Sequence, residues 1–124
     1  MPTNHEDKVA QLVKPMLKKR LFASLNKAVA PQEQMLPLMA DHIEYMNRLE
    51  SEGKLFASGP FIQPGVLVGL TILRTDTLEE ARALMEKDPL IKQGLRTFEL
   101  HVWELREGRM TIQLNASSTS YQIV

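Results

Sequence analysis

The chain has 124 residues, enough for one domain with a modest core, and its 44% hydrophobic and 24% charged content is ordinary for a soluble globular fold. Fifteen basic residues balance fifteen acidic ones, which removes any broad electrostatic reason to hold nucleic acid or an anionic membrane. The absence of cysteine excludes disulfides, thiolate nucleophiles and thiolate metal sites.

No apolar run approaches the ~18–20 residues that span a bilayer. The opening MPTNHEDKVAQLVKPMLKKR is charged throughout, and the LFASL after it is too short for a signal-peptide core. The expected location is the cytoplasm. Thr3 and Glu6 have the spacing of a capping box, and Val9, Leu12, Val13 and Met16 follow at helical intervals. Pro15 has no N–H to donate, so a helix over Asn4 to Lys14 is expected, packed on the domain or on a partner subunit.

Lys19 to Asn26 reads as a strand, with Leu21, Ala23 and Leu25 on one face and Phe22 and Ser24 on the other. A loop holding Pro31 follows. Pro37 fits the first turn of a helix running from about Leu36 to Glu52. Met39, Ile43 and Met46 form one apolar line on it; Leu38, His42, Tyr45 and Leu49 form the next. His42 therefore falls within or beside the buried stripe, and Gly53 suits the position just past the helix end.

Leu55 to Ser58 is a short strand that Gly59-Pro60 should stop. Val66 to Leu73 is the strongest strand signal and is apolar on both faces, so both should be covered. Gln63-Pro64-Gly65 joins the two as a hairpin. Thr77 and Glu80 form a second capping box before a helix whose stripe is Leu78, Ala81, Leu84 and Met85. Asp88 precedes Pro89 and is pushed out of the helical region, so the helix should stop there. Pro89 to Leu95 reads as a connector that turns at Gly94.

Thr97 to Leu105 alternates, with Phe98, Leu100 and Val102 on one face and Thr97, Glu99, His101 and Trp103 on the other. Glu107-Gly108 is a turn, and Met110, Ile112 and Leu114 alternate as a fifth strand. Asn115 to Ser120 reads as a flexible polar link.

Strand, helix, strand, strand, helix, strand is the split βαβ, ferredoxin-like plan, α+β with an antiparallel sheet. Both helices lie on one sheet face. The other face, with Trp103 on it, is too apolar to be bare, so a homodimer packed sheet to sheet is expected. A single domain is expected, with its core over 19–105, an N-terminal helical extension over 1–18 and a C-terminal strand and tail over 106–124.

Three features resemble the YciI-like (YCII-related) proteins of the dimeric α+β barrel group. They are His42-Ile43-Glu44-Tyr45-Met46 on the first core helix; Gly53-Lys54-Leu55 followed by Ser58-Gly59-Pro60; and the run DPLIKQGLRTFEL from Asp88. The resemblance covers roughly Lys19 to Leu105. It implies a dimeric ferredoxin-like barrel with a His–Asp pair, which falls on His42 and Asp88, and with the Ser58-Gly59-Pro60 turn close by. It also implies lyase or isomerase chemistry in aromatic-ring breakdown for some members, including a dehydrochlorinase of a chlorinated hydroxyhydroquinone. The two terminal extensions depart from the family pattern.

A carboxylate beside an imidazole orients the ring and fixes its tautomer, so that a proton can be shuttled near neutral pH without metal or organic cofactor. The plain alternative is a buried histidine satisfied by a carboxylate and nothing more. Ser58, or N–H groups beside Gly59 and Pro60, could hold a substrate oxygen, but Ser58 sits on no nucleophile elbow. Glu99, His101 and Trp103 could line the barrel interior or serve as interface packing. His5, His42 and His101 have no metal-ligand spacing, so no metal is expected.

Three readings stay open. The first is a cofactor-free lyase or isomerase on a cyclic, polyoxygenated or aromatic-derived metabolite, with His42 as acid or base and Asp88 orienting it. The second is a non-catalytic dimer that binds a small metabolite as a sensor or accessory protein. The third is a cofactor-free oxygenase of the same barrel group. Loss of turnover in His42→Ala, binding without turnover, and oxygen consumption respectively separate them.

Overall fold

A computed structural model of the chain describes residues 4–117 and 120–123. In chain order the elements are α1 (Asn4–Val13), β1 (Lys19–Ala28), α2 (Gln32–Ser51), β2 (Leu55–Pro60), β3 (Val68–Leu73), α3 (Leu78–Glu86), α4 (Pro89–Lys92), β4 (Arg96–Leu105), β5 (Ile112–Asn115) and β6 (Ser120–Ile123). The chain divides into two compact units, Arg20–Trp103 and Met1–Lys19 with Glu104–Val124.

The first unit carries a four-stranded sheet in the order β2-β3-β1-β4. Both β1 and β2 run antiparallel to β3, so they are parallel to each other and α2 is the crossover between them. This is the α+β, ferredoxin-like arrangement. Phe22 and Leu73 are opposite each other on β1 and β3 and join Tyr45, Met46, Leu49, Ala81 and Met85 in one buried cluster. Leu55, Leu78, Leu84, Phe98 and Leu100 pack against it. One sheet face is thus covered by α2 and α3. Complete burial of Met85 or Leu73 contributes about 1.5–3 kcal/mol each.

The helix ends follow from local chemistry. Thr77 is the N-cap of α3, its hydroxyl accepting from the Glu80 N–H at 3.2 Å. Thr77→Ala is expected to lower the unfolding free energy by about 1 kcal/mol, read as a lower urea midpoint with an unchanged slope. Past the end of α2, Gly53 takes φ +74. There the Lys54 N–H reaches the Leu49 carbonyl at 2.8 Å, satisfying a helix-end carbonyl through a backbone conformation that a β-carbon would disfavour.

Several local expectations are corrected. Helix α2 begins at Gln32, a turn before Leu36. Pro31 is its N-cap with extended backbone, and Pro37 sits inside the helix, where it forgoes one backbone bond. Ile43 is 50% exposed, because the covered stripe runs instead through Met35, Tyr45, Met46 and Leu49. Gly59 and Pro60 do not stop β2. They pair with Leu70 and Gly69 of β3. The strand tolerates proline because it lies at the sheet edge, where a missing N–H leaves no second neighbour unpaired.

Pro89 to Leu95 is not merely a connector, since it contains the short helix α4. Val102 is 55% exposed and does not share the burial of Phe98 and Leu100. In the second unit α1 ends at Val13, shortly before Pro15, and Thr3 lies outside the described residues. Past Asn115 the chain reaches β6, which pairs antiparallel with β5, Ile112 opposite Ile123; the link expected over Asn115 to Ser120 lies partly outside the described residues. Among the described residues no helix is long and apolar enough to cross a membrane.

Candidate active site

Asp88 ends one helix and starts the next. Its N–H caps α3 on the Met85 carbonyl at 3.1 Å. Its Oδ1 accepts from the Leu90 N–H at 3.0 Å as the N-cap of α4, with Pro89 at the first helical position. The side chain is therefore fixed by its own backbone, and it is 1% exposed.

A carboxylate so buried needs a further partner. His42, from α2, supplies it: Nδ1 lies 2.8 Å from Oδ2 and 3.0 Å from Oδ1. A carboxylate accepts, so Nδ1 is the donor and the ring's open nitrogen is Nε2. The imidazole is 15% exposed against 1% for the acid. The pair thus sets a partly exposed imidazole on a buried anchor. When neutral, the ring offers Nε2 as a base; when protonated, as an acid.

Tyr45, one turn along α2, ties this helix to α3 by donating to the Leu84 carbonyl at 2.6 Å. The Arg48 guanidinium lies over its ring at 5.2 Å. Burial holds the Tyr45 phenol above its usual 10.0; Arg48 opposes this, and the Asp88 and Glu52 carboxylates reinforce it. The unfolded chain ionises first, so stability from the neutral phenol is complete below pH 10.0 and is lost as pH rises through the folded-state value. Tyr45→Phe is expected to remove that alkaline loss in urea titrations above pH 10.0. At neutral pH it should cost about 1 kcal/mol for the missing bond.

A hollow of about 180 Å³ beside the pair is lined by Asp41, Glu44, Tyr45, Arg48, Lys87 and Pro89. A hollow of about 540 Å³ lies in the second unit, against Val9, Ala10, Val13 and Arg106.

The other residues singled out from sequence are placed as follows. Ser58, Gly59 and Pro60 are exposed on the edge strand β2, with Ser58 opposite Thr71 of β3. Glu99, His101 and Trp103 alternate with the core-packed Phe98 and Leu100, which puts them on the sheet face away from α2 and α3. His101 Nε2 and Glu99 Oε1 lie 3.2 Å apart, both well exposed, and Trp103 is 38% exposed. No group of three or more potential metal ligands occurs among the described residues.

Sequence reasoning did not single out three buried polar residues in the sheet, Ser24, Asn26 and Thr71. Their signal was small polar side chains at alternate positions of otherwise apolar strands.

Residues 18–105 match the model of the YCII-related domain. The uncharacterized protein YjpA of Bacillus subtilis (strain 168) is 32% identical over 69 residues, which is 56% of this chain and 79% of that protein. A solved 5-chloro-2-hydroxyhydroquinone dehydrochlorinase from Burkholderia phenoliruptrix, in complex with 2,5-dihydroxybenzoquinone, superposes with a TM-score of 0.57. It is 22% identical, with 67% of this chain and 92% of that one covered, so the likeness is one of fold.

Proposed function

The chain belongs to the YCII-related family, and on that premise we propose that it is a small cofactor-free enzyme, a lyase or isomerase acting on a polyoxygenated ring. The observation that carries this reading is the His42–Asp88 pair: a carboxylate 1% exposed, 2.8 Å from the Nδ1 of a histidine side chain that is 15% exposed. The fold neighbour's action on a chlorinated hydroxyhydroquinone supports the choice of ring class.

The elimination is redox-neutral. His42 Nε2 takes a proton from a ring hydroxyl and delivers it to the ring carbon that bears the leaving group. The leaving group then departs with its bonding pair as a second hydroxyl loses its proton. The balance is one carbon–hydrogen bond gained, one carbon–halogen bond broken, and two hydroxyl protons released or moved. Asp88 holds the ring and its tautomer throughout. Proton delivery without a leaving group gives an isomerisation by the same pair.

We also propose that two copies pair through the sheet face that carries Leu25 and Trp103, each 38% exposed.

The test is chloride release from 5-chloro-2-hydroxyhydroquinone, without oxygen and with a chelator present. Turnover that survives both conditions is the expected result. Binding without turnover would replace this reading with a metabolite-binding protein, and oxygen-dependent turnover would replace it with an oxygenase.

A further inference from the structure

The unit built from the two chain ends leaves its helix uncovered. No residue of α1 is buried, and Val9 and Leu12 are 59% and 60% exposed. A helix of ten residues is shorter than the ~12–15 that hold together alone in water, so its stability must come from packing an apolar face. Val9, Leu12 and Val13 supply that face at helical spacing.

Val9, Ala10 and Val13 also line the hollow of about 540 Å³, together with His5, Glu6 and Arg106. All six residues belong to the terminal unit. Arg106 is the one lining residue from outside α1, and its charge is already matched: Nε lies 2.6 Å from Glu104 Oε2. The hollow therefore offers an occupant an apolar wall and suits a helix face better than an anion.

The charges along α1 select the occupant. Glu6 stands in the first turn, and Lys14 follows the last residue, its N–H on the Ala10 carbonyl at 3.1 Å. Glu6, Ala10 and Lys14 thus form one row, four residues apart, beside Val9 and Val13. In an antiparallel pair related by a twofold axis, like rows face each other in reverse order. With the axis at Ala10, Glu6 meets the partner's Lys14 and Lys14 meets the partner's Glu6. The Ala10 methyl is small enough to let the two helix axes approach to ~8 Å. A parallel pair would instead set Glu6 on Glu6 and Lys14 on Lys14.

We propose that α1 is an assembly element that packs antiparallel on α1 of a second copy, with Val9 and Val13 at the seam and Glu6 paired with the partner's Lys14 on either side of an axis at Ala10. Helices about 15 Å long are too short to bury by themselves the ~800 Å² per partner of a stable interface. The α1 contact therefore rests on the sheet-face pairing proposed above and adds to it.

The chain has no cysteine, so one introduced thiol reports the contact without background. The test equilibrates full-length Ala10→Cys in a glutathione redox buffer, with Gln11→Cys as control; Gln11 is exposed and does not line the hollow. Facing copies bring the two Cα atoms at position 10 within the ~4.4–6.8 Å that a disulfide spans. Ala10→Cys should form a linked pair while Gln11→Cys stays a single chain. Equal linking of both overturns the proposal.

In the Ala10→Cys background, Glu6→Lys and Lys14→Glu should each lower the linked fraction roughly threefold to tenfold, and the two together should restore it. Indifference to the single changes means a parallel or random encounter and overturns the proposal. Failure of the double variant to restore linking assigns Glu6 to a contact within its own chain and overturns it too. So does a thiol at position 10 that stays unlinked: shielded from iodoacetamide, it reports a face covered by the chain itself, and freely alkylated, a face left bare. Sedimentation of the wild-type chain separates this contact from the sheet-face pairing. A dimer whose Ala10→Cys variant does not link keeps the sheet pairing and removes the α1 contact. Linking in a chain that otherwise sediments as a monomer does the reverse.

Discussion

Asp88→Asn is expected to cut turnover by about 10²–10⁴ with the fold retained. Asparagine keeps an acceptor oxygen for the Leu90 N–H, so the cap that starts α4 survives. Toward His42, however, its amide presents N–H where the carboxylate presented oxygen. The Nδ1 atom, 2.8 Å from Oδ2 and 3.0 Å from Oδ1 in the wild type, then faces an amide donor on its nearer side, which favours Nδ1 as the acceptor and moves the ring proton to Nε2. The nitrogen that should take a proton from substrate already carries one. Stability should change by no more than about 1 kcal/mol. Asp88→Ala separates the two roles, since it also loses the cap and should cost about 1–2 kcal/mol of stability. Steady-state rates with urea unfolding on both variants check this. Equal rates in wild type and Asp88→Asn would remove the tautomer argument.

His42→Asn is the complementary substitution, and a loss of about 10²–10⁴ in turnover is expected here too. The asparagine Nδ2 sits near the place of Nδ1, so Asp88, 1% exposed, keeps a donor and is not left as an unpaired buried charge. What disappears is the Nε2 atom. Binding of 2,5-dihydroxybenzoquinone should persist with little loss, because the substitution removes a proton-transfer atom and keeps the partner of Asp88. His42→Ala is a poorer test, since stripping the donor from a buried carboxylate can itself cost several kcal/mol. Combined, His42→Asn and Asp88→Asn should be far from additive, the second substitution adding little to the first.

The parts of the fold legible in the sequence were those written locally. The Thr77-to-Glu80 spacing gave a cap that the structure contains, and Gly53 stands past the end of α2 with the positive φ expected there. Alternation along β4 and the apolar run of β3 placed strands within two residues of their observed ends. Misreadings arose where neighbours decide. Gly59-Pro60 is a strand stop by propensity, but an edge position removes the penalty, and strand order is a tertiary property. Ile43 has the periodicity of a core residue, yet which stripe of α2 is covered depends on where α3 and the sheet lie.

Asp88-Pro89 carried two messages in one dipeptide. It ends α3, as read, and it caps α4, which was missed because a four-residue helix has no periodicity to recognise. The His42–Asp88 juxtaposition was not legible from spacing, since 46 residues separate the two; the family resemblance supplied it. Ser24, Asn26 and Thr71 were invisible for a related reason. Asn26 and Thr71 are 45 residues apart, and only the register of β1 on β3 brings them together.

The central claim is that Asp88 holds His42 with its proton on Nδ1, leaving Nε2 as the working atom. Long-range proton–nitrogen correlation of the His42 ring in its neutral form measures this directly. The account predicts a protonated Nδ1 and a bare Nε2 in the wild type, with the assignment reversed in Asp88→Asn. A wild-type ring carrying its proton on Nε2, or one indifferent to the Asp88 substitution, would contradict it.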